Sequence, residues 1–173
     1  MGPQQAGRWW VRPARPGDGD FLLDMTMEAV NWQPRRRLTR RQVMADPLLM
    51  HYSAGYPRPG DVGVVAVEEH DAPIGAAWVR CFPAADPGYG YVDDQVPELT
   101  VAVVPLRRGR GVGRALLAEL LRRTAEQGYA RVSLNVEDGN RARALYESFG
   151  FRPWGAPVDG GTVMVADLGA GLW

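Results

Sequence analysis

The sequence contains no lysine: all 20 basic residues among its 173 are arginine. Lysine Schiff-base chemistry, a Walker A lysine and lysine self-acetylation are excluded together. Cysteine is almost as scarce. Cys81 stands alone, which rules out an intrachain disulfide and a cysteine metal cluster, and a lone thiol in an apolar run reads first as a small buried residue. The two histidines, His51 and His70, have no partner at metal or triad spacing, so neither takes a role and no metal is expected. Net charge is zero, which argues against binding nucleic acid by neutralising phosphates. No stretch approaches the ~18 apolar residues of a membrane span, and Met1 to Ala6 carries neither a signal peptide nor a myristoylation signal. The expectation from these absences is a cytoplasmic protein with no membrane or nucleic-acid partner.

What is present fits one globular domain over residues 1–173, since 46% of the residues are hydrophobic and 23% charged. Trp9 to Arg15 reads as a first strand, and Pro16-Gly17-Asp18 punctuates the chain before a helix from Asp20 to Val30. Asn31 to Arg37 breaks that helix, and Thr39 caps a second one to about Met44. Asp61 to Glu69 and Ile74 to Phe82 are rich in strand formers, with a hairpin turn at His70-Asp-Ala-Pro. Pro83 to Pro97 has many breakers and reads as a binding loop.

The most regular segment follows. Glu98 to Val104 is a strand, and Val112 to Gln127 repeats leucine at helical spacing until Gly128 stops it. Val132, Leu134 and Val136 alternate with polar residues in a parallel strand beyond. Ala142, Leu145, Tyr146 and Phe149 mark another helix ending at Gly150, and Phe151 to Gly155 and Thr162 to Leu168 are final strands around the turn Val158-Asp-Gly-Gly. The element order is β-α-α-β-β-β-α-β-α-β-β.

Arg108 to Arg114, R-G-R-G-V-G-R, lies between that strand and its helix. A helix opening near Gly111 leaves its first amides unpaired, the glycines let an anion approach the backbone, and Arg108, Arg110 and Arg114 add full charges to the helix dipole. A glycine-rich turn can also simply pass the chain from strand to helix. Without G-K-[ST] or G-x-G-x-x-G, neither a P-loop nor a dinucleotide fingerprint is present, although ATP or NAD at such a turn is an alternative.

These residues resemble the GNAT superfamily of N-acetyltransferases, whose signature [RQ]-x-x-G-x-[GA] is met by Arg108, Gly111 and Gly113. Asn140 to Phe151 resembles that family's asparagine-to-tyrosine helix and its terminal G-F, so the match runs through Glu98 to Pro153. The resemblance implies an α/β (α+β) fold, a mixed twisted sheet of about seven strands with about four helices. It further implies an acetyl-CoA-binding core at about 98–153 and acetyl-CoA as co-substrate. Val101, Ala102 and Val103 would pair with the pantetheine arm. Backbone amides of Gly109, Arg110, Gly111, Val112, Gly113 and Arg114 would hold the pyrophosphate. Asn140 would either touch the cofactor or cap its helix.

For chemistry, the resemblance implies Glu98 as the base, directly or through water, with Asp93 and Asp94 as rivals. An amine with a reference pKa near 10.4 leaves only about one molecule in a few thousand neutral at pH 7, so a base is required. Asn135 stands where some relatives carry glutamate, and an amide cannot take the proton. A strand amide between Val101 and Val103 would stabilise the oxyanion. Tyr146 would donate a proton to the CoA thiolate; its alternative is a core tyrosine.

The acceptor would sit between Asn31–Arg37 and Pro83–Pro97. Trp32, Tyr89 and Tyr91 could pack against it there, and Asp93 and Asp94 could attract a cationic amine. Arg35, Arg36, Arg37, Arg40 and Arg41 read as a solvated face or as a partner for an anion. The expected activity is acetyl transfer to a primary amine, of a small molecule before a protein amino group. A non-catalytic acyl-CoA sensor is the alternative, and a homodimer is compatible with the resemblance.

Overall fold

The computed structural model describes residues 8–158 and 160–169; Met1 to Ala6, and Asp159 of the expected turn, lie outside them. The elements in chain order are β1 (Trp10–Pro13), α1 (Gly19–Val30), α2 (Arg40–Ala45), α3 (Pro47–Met50), β2 (Val62–Val67), β3 (Pro73–Arg80), β4 (Glu98–Val103), α4 (Val112–Glu126), β5 (Arg131–Glu137), α5 (Ala142–Ser148), β6 (Arg152–Pro153) and β7 (Gly161–Asp167). The strands form one seven-stranded sheet in the order β1-β2-β3-β4-β5-β7-β6, antiparallel except for β4 beside β5. This is the mixed α/β architecture expected.

Alternation along the strands divides the core between two faces. On one face α4 lays Leu116, Leu117, Leu120 and Leu121 against Val64, Ala66, Ala77, Val79 and Leu99. On the other, Leu22 and Met25 of α1 pack against Val65, Val67, Ala76 and Trp78. Leu22 and the four α4 leucines are fully buried, and truncating one to alanine costs about 2–5 kcal/mol.

Local chemistry explains the element ends. Thr39 caps α2 as expected, in a capping box with Gln42. Gly128 follows α4 with φ +91°, a left-handed conformation that glycine adopts without strain.

The structure departs from expectation in three places. The described residues hold five α-helices, because Asp46 caps the additional four-residue α3 through the amide of Leu48; a single turn is too short to show a period. The turn between β2 and β3 is a 3-10 turn at Glu69–Asp71 with His70 and Asp71 at positive φ, where Asp71 is bonded by Arg12 and Arg15. β6 shrinks to two residues.

Candidate active site

β4 and β5 diverge from their first contact. Their one register pair is Glu98 with Ser133, where the Ser133 amide donates to Pro97 O at 3.0 Å. Beyond it β4 keeps its pairing with β3 and β5 its pairing with β7, so a gap opens within the sheet. The Val104 amide donates to Ile74 O, which fixes the alternation: the peptide groups of Thr100 and Ala102 face β3, while those of Val101 and Val103 face the gap. An extended ligand can therefore pair with Val101 and Val103. Ala102, expected to share that task, has its own amide and carbonyl committed to β3.

The gap leads to the glycine turn. Gly109 and Gly111 sit at φ +71° and +81°, with open space around the position of a side chain. Glycine is required there by backbone conformation rather than by room. The first intrahelical bond of α4 runs from the Ala115 amide to Gly111 O, leaving the amides of Val112, Gly113 and Arg114 for an anion.

The three arginines differ from one another. Arg108 folds back, donating to Val103 O at 2.9 Å and to Glu28 at 2.8 Å, so its guanidinium braces the turn against α1. Arg114 lies over the Phe149 ring. Arg110 is exposed and has no ion pair among the described residues.

Asn140 accepts the Ala142 amide at 2.9 Å, which is the capping geometry foreseen as its alternative. Tyr146 packs in the principal core with an edge contact to Phe151. Burial pushes its phenol up to about 12, so it stays protonated at neutral pH.

Glu98 is 4% exposed, not an open strand-edge carboxylate. Its Oε1 accepts from Tyr52 Oη at 2.7 Å and from the Gly90 amide at 2.9 Å, while Oε2 is buried with no partner in the protein. Burial raises its pKa to about 7, against the opposing pull of those two donors. Glu98 is thus poised to exchange a proton near neutrality.

Sequence reasoning missed the groups that build this setting. Tyr52 is fixed by β3, whose Trp78 Nε1 donates to Tyr52 O and whose Arg80 donates to the carbonyls of His51 and Ala54. Arg80 pairs with Asp61, both 2% exposed. The buried His51 ring stacks on Phe82. The glycines of P-G-Y-G-Y were the one available signal. A residue 46 positions before Glu98 gave none.

The acceptor candidates separate into two groups. Trp32 Nε1 donates to Glu137, and Asn135 Nδ2 donates to Tyr89 O; Asn135 and Glu137 share the Glu98 face of β5. Tyr89 is therefore beside the buried carboxyl, while Trp32 lies farther along the same face of β5, at Glu137. Asp93 and Asp94 are turned to loop structure, accepting from Gln95 and from Ala84 with Tyr91. They line a separate cavity of about 670 Å³ with Cys81, Tyr129 and Arg131.

The profile of the acetyltransferase (GNAT) family matches residues 27–151. The chain belongs to this family. It is 35% identical over 140 residues to a mycothiol acetyltransferase of Jonesia denitrificans, covering 79% of this chain and 40% of that protein. A [ribosomal protein bS18]-alanine N-acetyltransferase of Haemophilus influenzae is 36% identical over 58 residues, 34% of this chain and 40% of that one. The chain thus spans less than half the length of these relatives. A phosphinothricin acetyltransferase from Sinorhizobium meliloti, solved with AcCoA, superposes with a TM-score of 0.66 at 23% identity, covering 93% of this chain and 89% of its own. No metal-ligand cluster occurs among the described residues, and no described helix is long and apolar enough to cross a membrane.

Proposed function

We propose that this GNAT enzyme acetylates a primary amine of a small molecule, with Glu98 as base and Tyr146 as acid. The observation that carries this is the closed setting of Glu98 at the apex of the β4–β5 gap, where the Gly88–Tyr91 segment covers its carboxyl, which favours a narrow amine over a protein surface. Val101, Val103 and the amides at the start of α4 fit the extended arm and the pyrophosphate of acetyl-CoA. The amine attacks the thioester carbonyl, and its proton passes through water to Glu98. An amide of the gap-facing β4 edge, at Val101 or Val103, holds the charge growing on the carbonyl oxygen. Tyr146 returns a proton to the departing sulfur.

The similarity to a mycothiol acetyltransferase over most of this chain supports a small acceptor. The shorter match to a ribosomal-protein alanine acetyltransferase makes a protein amino group the second reading. Trp32 and Tyr89 are the side chains proposed to meet the acceptor; Asp93, Asp94 and Tyr91 act through the shape of their loop.

Thiol release from acetyl-CoA, measured across amino acids, polyamines, aminoglycosides, cysteinyl amines and amino-terminal peptides, tests the reading. Turnover confined to small amines is expected. Turnover on peptides alone would reverse the assignment.

A further inference from the structure

Residues Gly88 to Tyr91 form a strap across Glu98. A Cβ on Gly88 would fall 1.9 Å from Glu98 Oε2 and 2.8 Å from the Tyr52 hydroxyl. One on Gly90 would fall 2.7 Å from the Leu134 carbonyl carbon, 2.8 Å from the Asn135 amide and 3.1 Å from Glu98 Cδ. Gly90 is therefore wedged between the carboxyl and β5. Three hydrogen bonds hold the strap: the Tyr89 amide to the Tyr52 hydroxyl at 2.8 Å, the Gly90 amide to Glu98 and Asn135 Nδ2 to Tyr89 O.

The direction of these bonds has a chemical consequence. A tyrosine hydroxyl carries one proton, and an amide N–H can only donate. Having accepted from Tyr89, the Tyr52 hydroxyl directs its own proton to Glu98 Oε1. That oxygen then faces two donors, so a proton arriving at the carboxyl must settle on Oε2, the atom without a protein partner.

Resting on the reading of Glu98 as base, we propose that Tyr52 is a positioning residue that selects Oε2 as the basic atom and keeps the carboxyl charged. Other polar and titratable groups also pack around Glu98. Arg80, its cross-strand neighbour on β3, is paired with Asp61. His51 lies beside Asp86, and β5 contributes only Ser133 and Asn135.

The test is the pKa of Glu98 in Tyr52→Phe, read directly from carboxyl carbon NMR of the whole protein and from the acid limb of kcat/KM. Loss of a hydrogen bond to a charged group should raise both by about one pH unit or more, with activity approaching that of the parent above the new limb. A merely structural role would lower activity equally at every pH. An unchanged carboxyl titration overturns the proposal. Should Tyr52→Phe fail to fold, Asn135→Ala loosens the strap from its other side and should raise the same titration by a smaller amount; no shift there overturns the proposal too. A fully active Glu98→Gln would instead reject Glu98 as base, while the NMR titration of Tyr52→Phe still decides the role of Tyr52.

Discussion

The glycine turn proposed to hold the pyrophosphate and the surroundings of Glu98 are built in opposite ways. The turn is seven consecutive residues whose proposed role rests on backbone amides and two left-handed glycines. The chamber gathers Tyr52, Gly88, Gly90, Glu98 and Asn135 from four separate segments, and its function resides in packing. A site made of contiguous backbone tolerates change outside its glycines. One made by convergence is vulnerable at every contributor.

Four substitutions sharpen that contrast, beginning with Glu98→Gln. Kinetics on the best amine should show kcat/KM lowered by about 10²–10⁴-fold, the range for a lost general base. Its stability should move the other way. The native state holds the Glu98 proton more tightly than the unfolded chain, so stability present below about pH 4.5 is lost as pH rises to about 7. Denaturant titrations at pH 5 and pH 8 should show the parent losing up to roughly 3 kcal/mol that Glu98→Gln does not lose, at about 1.4 kcal/mol per unit.

Gly88→Ala should come next. The strap must lift to clear Oε2, and a displacement on the scale of an ångström costs about a hundredfold in turnover. Steady-state rates with an unchanged acetyl-CoA affinity would locate the damage in the chamber. Gly111→Ala should act in the turn alone: a strain of about 1 kcal/mol at positive φ predicts an acetyl-CoA affinity weakened several-fold by calorimetry, with kcat nearly kept. If Gly111→Ala abolished turnover while Gly88→Ala did not, the contrast between the two regions would be reversed.

Tyr146→Phe should cost less turnover than Glu98→Gln or Gly88→Ala. A thiolate with a reference pKa near 8.5 needs little help in leaving, so a loss of about tenfold in turnover with acetyl-CoA affinity kept is expected. An unaffected enzyme would leave Tyr146 as the core residue its burial also allows.

The same contrast explains what the sequence revealed. β4, α4 and β5 were legible nearly to the residue because the period-2 and leucine patterns are local, and the glycine turn because its motif is contiguous. Arg108 was legible as a position but not as a brace, since Glu28 lies 80 residues away. Glu98 was legible as a candidate carboxylate, and its burial was not. Nothing near His51-Tyr52 announces a partner across the sheet, and α3, which delivers Tyr52, is one turn long.

Tyr89 sits between two positions where no side chain fits, its amide held by Tyr52 and its carbonyl by Asn135. Its own side chain is 56% exposed. On the proposed reading, replacing it alters what an incoming amine meets without disturbing the backbone that supports Glu98. Acceptor preference and proton chemistry are thereby uncoupled over three residues, and position 89 is the place where a library could retune selectivity while the catalytic rate survives.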